Sequence, residues 1–294
     1  MRSSINGLVA LLLGALFIAL PTDVVAADAV AADAGALYKQ HCASCHGAAR
    51  LGGIGPALLP ENLKRLRKKK AARVIGKSRP AVQMPAFEGV LSKAEIDALV
   101  TLIYTPLESV PDWTLADIDK SHVLHTPLSS LPPKPVHDAD PLNLFTVVEL
   151  GDHHVTILDG DTFESLWRFP SRFALHGGAK YSPDGRFVYL GSRDGWVSKY
   201  DLWGLVPVAD VRAGINMRNI AISADGRHVM AANTLPHSLV VLDAKELKPL
   251  KVIPVRGDKG KTSRVSAVYT ARPRNSFIAA LRDIPEIWEM SYED

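Results

Sequence analysis

Three aspartates set the frame of this chain. Asp159, Asp201 and Asp243 each close a short apolar run, and they stand 42 residues apart in both intervals. Between them the segment "YSPDGRFVYLGS" returns as "ISADGRHVMAAN", and a third copy, degenerate at its turn, reads "SAVYTARPRNSFIAALRD". The runs "FTVVEL", "VTILDG", "WVSKYDL" and "LVVLDA" are β-rich and separated by glycine, aspartate and asparagine turns. A period of about forty residues with about four strands per unit is that of a β-propeller blade. Residues 144–294 are therefore predicted to form an all-β propeller domain, with room for between three and four blades.

The first half has a different character. A chain of 294 residues exceeds what one core usually needs, so two domains are expected. The opening "MRSSINGLVALLLGALFIALPTDVVAADAVAADAG" gives one arginine, an apolar run and then small residues, the layout of a secretory signal over 1–30. The mature protein is expected to start between Ala27 and Ala34, to be periplasmic, and to lack a membrane span once the signal is removed. A net charge of +3 says little by itself.

Both cysteines of the chain lie in "HCASCHG". A Cys42–Cys45 disulfide or a thioredoxin-like pair would share that spacing, but C-x-x-C followed at once by His46 is the attachment signature of c-type heme. Two thiols add across the vinyl groups, and the next residue supplies an axial imidazole. The surrounding stretch, 31–107, is predicted to be a small all-α cytochrome c domain. It closes on a helix whose Leu91, Ile96, Leu99, Val100 and Ile103 share one face. Met84, in "QMPAF", is the one methionine between His46 and His122, where no further histidine occurs, and is the candidate sulfur ligand. An exported heme protein gives no reason to expect nucleic acid. The proline-rich passage 108–143 is expected to be an extended connector, with His122, His125 and His137 at its surface rather than on a metal.

Blade geometry gathers distant residues. The strand before a "SPDGR" turn and the strand after it run in opposite directions, so His176 and Arg193 should reach the same end of the blade, near the central channel. Superposed repeats place Met217 on His176 with Arg218 beside it, and Arg264 on His176 in the third copy, with Arg282 on Arg193. Arg172 joins the same rim. One imidazole among guanidiniums suits a planar, carboxylated ligand with a metal centre. The plainer alternative pairs these arginines with blade aspartates such as Asp194 and Asp283. The basic run "KRLRKKKAAR", residues 64–73, reads as a solvated helix face or as a surface that steers an acidic partner.

The stretches "CHGAARLGGIGPALLPENL", "QMPAF", "ALHGG", "GSRDGWVSKYDLW", "AGINMRNIAIS", "SRVSAVY" and "DIPEIWE" resemble the cytochrome cd1 nitrite reductase family, in its branch that acts late in heme d1 assembly. The resemblance implies covalent heme c on Cys42, Cys45, His46 and Met84, and non-covalent heme d1 or dihydro-heme d1 with His176 as proximal ligand. It implies that Arg172, Arg193, Arg218 and Arg264 hold the macrocycle's carboxylates. The implied activity is oxidation of a dihydro-heme d1 propionate to an acrylate; nitrite reduction and non-catalytic d1 carriage are the alternatives. Implied partners are the heme d1 precursor, a periplasmic electron acceptor and nitrite reductase as recipient of the product. The family's propeller has eight blades, so about half of one is expected here. The distal catalytic residues would then fall outside the chain, and a half-propeller alone is expected to be inactive.

Overall fold

The computed structural model describes residues 33–79 and 84–292; the expected signal at 1–30 lies outside them. Two bodies of secondary structure follow one another, helical and then β-rich.

The helical body comprises α1 (residues 33–41), α2 (Ala43–His46), α3 (Pro60–Leu63), α4 (Lys68–Lys77) and α5 (Lys93–Ile103). Helix α5 begins where the sequence signals it: Ser92 accepts from Glu95 N while the Glu95 carboxylate accepts from Ser92 N, a capping box. Its Ile96, Leu99, Val100 and Ile103 are buried, as their spacing predicts, against Leu37, Tyr38, Leu63, Ala71, Ile75, Phe87 and Leu91. Met84 and Cys42 both pack on this cluster.

The strands form four antiparallel sheets. The first holds β2 (Leu144–Glu149), β3 (His154–Asp159) and β4 (Ser165–Pro170). The second runs in the order β1 (Val123–Leu124), β8 (Val206–Arg212), β7 (Trp196–Asp201), β6 (Phe187–Gly191), β5 (Lys180–Tyr181). The third is β12 (Pro249–Pro254), β11 (Ser238–Asp243), β10 (His228–Leu235), β9 (Asn216–Ile222), and the fourth β13 (Val265–Ala271), β14 (Ser276–Leu281), β15 (Ile287–Ser291).

The repeat motif is the chemistry of two turns per sheet. In "SPDGR" the Asp184 carboxylate accepts from Arg186 N at 3.1 Å and the Ser182 hydroxyl accepts from Phe187 N at 2.9 Å. Asp225 and Ser223 repeat both bonds, to Arg227 N and His228 N, each at 2.9 Å. The 42-residue aspartates close the other turn, each accepting the backbone N–H two residues on: Asp161, Trp203 and Lys245. Neighbouring sheets bury their faces on each other. Tyr189, Val197, Val208 and Val211 of the second meet Met217, Ile220, Val229 and Val240 of the third, and Met230 and Ala232 of the third meet Val268 and Phe277 of the fourth.

The passage 108–143 differs from the extended connector its composition suggests. Thr114 and Asp117 form a capping box that starts α6 (Leu115–Lys120), Ile118 is fully buried against the second and third sheets, and β1 adds to β8 with Val123 opposite Asp210. Prolines set φ and remove donors, but Trp113, Ile118, Leu128 and Leu131 between them carry enough apolar surface to dock on the sheet flank. Its histidines are structural: His122 bonds the Glu246 carbonyl, His125 the Asp210 carboxylate and His137 the Leu202 carbonyl.

Candidate functional site

Two sites emerge, one in each body. In the helical body the chain passes from α1 through Cys42 into the single turn of α2, so that Cys42, Cys45 and His46 come off one helical turn, with His46 N donating to Cys42 O at 2.9 Å. Both thiols are free and half-buried, and burial pushes that of Cys42 up to about 11, with the Cys45 thiolate adding to the shift. His46 is buried, and its Nδ1–H donates to the Pro56 carbonyl at 2.7 Å. That bond fixes the tautomer and leaves Nε2 as the lone pair. Gly55 lies against the ring so closely that a Cβ there would stand 2.8 Å from Cε1. Burial also pulls the His46 pKa below its ordinary value, the Pro56 hydrogen bond opposing it. Met84 packs on the apolar cluster that also receives Cys42, its carbonyl accepting from the hydroxyl of Ser78 at the end of α4. Free paired thiols, a neutral imidazole and a thioether around one apolar core fit a c-type heme.

The second site lies at the ends of β6 and β9. His176 N donates to Gly191 O at 2.8 Å and Arg193 N to Ala174 O at 3.0 Å, which brings His176 and Arg193 to the same end of the sheet. Met217 N donates to Arg193 O at 3.2 Å, so the next sheet delivers Arg218 to the same place. The His176 Nδ1–H donates to the Arg218 carbonyl at 2.7 Å, and the Arg218 guanidinium donates to Nε2 at 3.2 Å. Burial holds His176 below its ordinary pKa, against the pull of the Arg218 carbonyl; the positive charges of Arg193, Arg218 and Arg65 act in the same sense as burial. The imidazole is therefore a neutral donor.

The structure does not bring all four expected arginines to this imidazole. Arg172 donates to the Asp210 carboxylate at 2.7 Å and stacks 3.8 Å from the centre of the Trp196 ring. Arg264 makes a two-pronged pair with Asp283, whose carboxyl it holds far below the usual range. Arg264 also fails to superpose on His176. Arg282 N donates to Arg264 O as Arg193 N does to Ala174 O, so Arg264 stands at the Ala174 position, two residues upstream. Among the described residues Asp194 pairs with neither Arg193 nor any other guanidinium by a side-chain bond; it is buried, its carboxyl raised by that burial, and accepts from Ser192.

Two residues that sequence patterns did not single out connect the sites. Arg212, 4% exposed, donates from Nε to the Asp194 carbonyl at 2.9 Å and from Nη2 to the carbonyl of Leu51 in the His46 loop. Gly52, at φ +88°, leaves room for that guanidinium: a Cβ would stand 2.7 Å from Nη2. Arg65, hidden in the basic run, places its charge near His176 and Arg193. Its signal was the length of the run beside "PENL", a turn that packs on the β-body.

Both bodies match known families. Residues 139–294 match the family model described as Cytochrome D1 heme domain, and residues 29–103 that described as Cytochrome C oxidase, cbb3-type, subunit III. Dihydro-heme d1 dehydrogenase of Pseudomonas aeruginosa is 56% identical over 285 residues, covering 97% of this chain and 57% of that protein. Nitrite reductase of Stutzerimonas stutzeri is 27% identical over 278 residues, 88% of this chain and 48% of that protein. The solved structure of dihydro-heme d1 dehydrogenase NirN in complex with DHE matches with a TM-score of 0.85 at 58% identity, over 87% of this chain and 55% of that one. The chain thus spans about half the length of the curated relatives it matches. Because the D1 model takes in more than half of the 294 residues, the chain belongs to the cytochrome D1 heme domain family.

Proposed function

We propose that this chain is the part of a dihydro-heme d1 dehydrogenase that carries heme c and grips the d1-type substrate from its proximal side. The observation that carries this reading is the 56% identity to the Pseudomonas aeruginosa dehydrogenase, which runs through both bodies rather than one. Residues 31–107 form the heme c unit, 108–143 the connecting segment and 144–294 the d1 unit. Removal of 1–30 delivers the protein to the periplasm; no described helix is long and apolar enough to cross a membrane.

In the heme c unit, Cys42 and Cys45 would hold a covalent heme through their thiols, and His46, oriented by Pro56, and Met84 would supply its nitrogen and sulfur ligands. Heme c supplies a one-electron acceptor beside the substrate site. In the d1 unit, His176 Nε2 binds the substrate's iron and Arg193 and Arg218 pair with its carboxylates. Arg172 and Arg264 act at one remove: with Asp210 and Asp283 they stiffen the rim loops. Conversion of the propionate to an acrylate breaks two C–H bonds and releases two protons and two electrons. A heme c held on Cys42 and Cys45 would take these electrons one at a time for delivery to a periplasmic acceptor, and the product would pass to nitrite reductase.

Single-turnover oxidation tests this. The complete protein, mixed anaerobically with dihydro-heme d1, should show heme c reduction in step with formation of the d1 spectrum. Binding without oxidation would make the protein a carrier, and rapid reoxidation by nitrite would make it a reductase.

A further inference from the structure

The short helix α3 sits on the β-body. Leu59 and Ala57, both 1% exposed, bury against Ile215 and Leu235, and Asn62 Nδ2 donates to the Ile215 carbonyl at 3.4 Å. Ile215 immediately precedes β9. From that contact Arg65 is three residues on along one chain segment, about 5 Å if the helical course continues, and Arg218 three residues on along the other, about 10 Å. Both distances are within the span of two arginine side chains. Arg193 is joined to the same place through the bond from Met217 N.

Three guanidiniums from three segments thus converge on His176. Among the described residues none of Arg65, Arg193 and Arg218 has a carboxylate at ion-pairing distance, whereas Arg172 and Arg264 nearby are each held by an aspartate. The electrostatics agree: burial lowers the Arg193 pKa, and the charges of Arg65 and Arg218 lower it further. Like charges gathered at a half-buried rim repel, and an anion that fits the fork geometry relieves them.

We propose that Arg65 is a cross-domain clamp: with Arg193 and Arg218 it forms a carboxylate site at the seam of the two bodies, so that the unit carrying His46 itself holds one carboxylate of the bound tetrapyrrole. This deepens, and rests on, the reading of the rim as a d1 site. Substrate binding then tightens the seam across which electrons must pass, and the remainder of the basic run stays in solvent.

The test uses the full chain and uroporphyrin I, a tetrapyrrole rich in carboxylates, titrated while tryptophan fluorescence is followed at several salt concentrations. Arg65→Glu should weaken binding about tenfold or more, the worth of a charge-assisted pair, and flatten the salt dependence. Arg65→Lys should keep part of the affinity. Arg67→Glu, the same charge change two residues along, should stay within about twofold, as a screened surface charge does. The heme c spectrum of each variant reports its folding. Equal losses for the two glutamate variants, no loss for either, or no uroporphyrin binding by the parent chain would overturn the clamp. Arg65-dependent binding without oxidation of dihydro-heme d1 by the complete protein would instead remove the dehydrogenase reading and leave the clamp standing.

Discussion

His176 and Arg218 hold each other at both ends: the imidazole Nδ1–H donates to the Arg218 carbonyl at 2.7 Å while the Arg218 guanidinium donates to Nε2 at 3.2 Å. The first bond orients the ring and fixes its tautomer, while burial favours the neutral form; the second covers the lone pair a metal would use. Binding of iron at Nε2 therefore requires the guanidinium to swing away, toward a carboxylate of the incoming macrocycle.

Substitutions at these two positions should separate ligation from charge pairing. With added heme d1, His176→Ala should abolish the low-spin d1 spectrum and leave the heme c bands unchanged. Arg218→Gln should retain the low-spin d1 spectrum and bind about tenfold more weakly, since it keeps the ligand and loses one charge-assisted contact. An unaltered d1 spectrum in His176→Ala would show that the iron is held elsewhere.

Met84 is the second axial assignment. Its thioether packs on the cluster that also receives Cys42, on the Ser78 side of α4. Met84→Ala should remove the sulfur-to-iron charge-transfer band of the oxidised protein and lower the heme c potential, because a thioether favours the reduced iron. Persistence of that band would rule Met84 out.

Local chemistry was legible in the sequence, and long-range chemistry was not. The aspartates 159, 201 and 243 and the two "DGR" turns announce themselves because each makes its bonds within a few residues. The Cys42–His46 spacing is likewise fixed by one helical turn. The packing of 108–143 was missed because prolines report backbone limits and say nothing of where Ile118 finds cover. Arg264 stands off the His176 position because the backbone pairing that sets it against Arg282 leaves no mark in composition. Arg65 and Arg212 act across the seam, on residues far away in the chain, and a basic run looks alike whether it meets solvent or a neighbour.

Arg212 should behave as the strut of that seam. It is buried and bonded to Asp194 on one side and Leu51 on the other, with Trp113 Nε1 donating to its carbonyl at 2.8 Å. Arg212→Met removes the charge nearest the buried Asp194 carboxyl and should cost about 3 kcal/mol. Calorimetry should then show two transitions in place of one, and proteases should cut between α5 and α6. A single transition at the parent temperature would deny Arg212 this role.

The last prediction concerns pH. Lys199 is 2% exposed, donates to the carbonyls of Ala244 and Lys245 at 2.8 Å each, and lies 3.7 Å from the centre of the Phe187 ring. Burial lowers its pKa to about 8, although Asp243, Asp201 and Asp184 pull the other way. An unfolded lysine titrates near 10.4, so between about pH 8 and that value the unfolded chain binds more protons than the folded one. Folding stability should therefore rise with pH through that window, while below it both states carry the charge and the cost of burying it is fully present. Lys199→Met abolishes this term. Relative to the variant, the parent chain should gain up to about 3 kcal/mol between pH 7 and pH 10.5, read from urea unfolding at intervals across the range. Other lysines and tyrosines titrate alike in both chains and cancel in the difference. Parallel stability curves would mean that the ammonium is as well solvated by its carbonyls and the Phe187 face as it is by water.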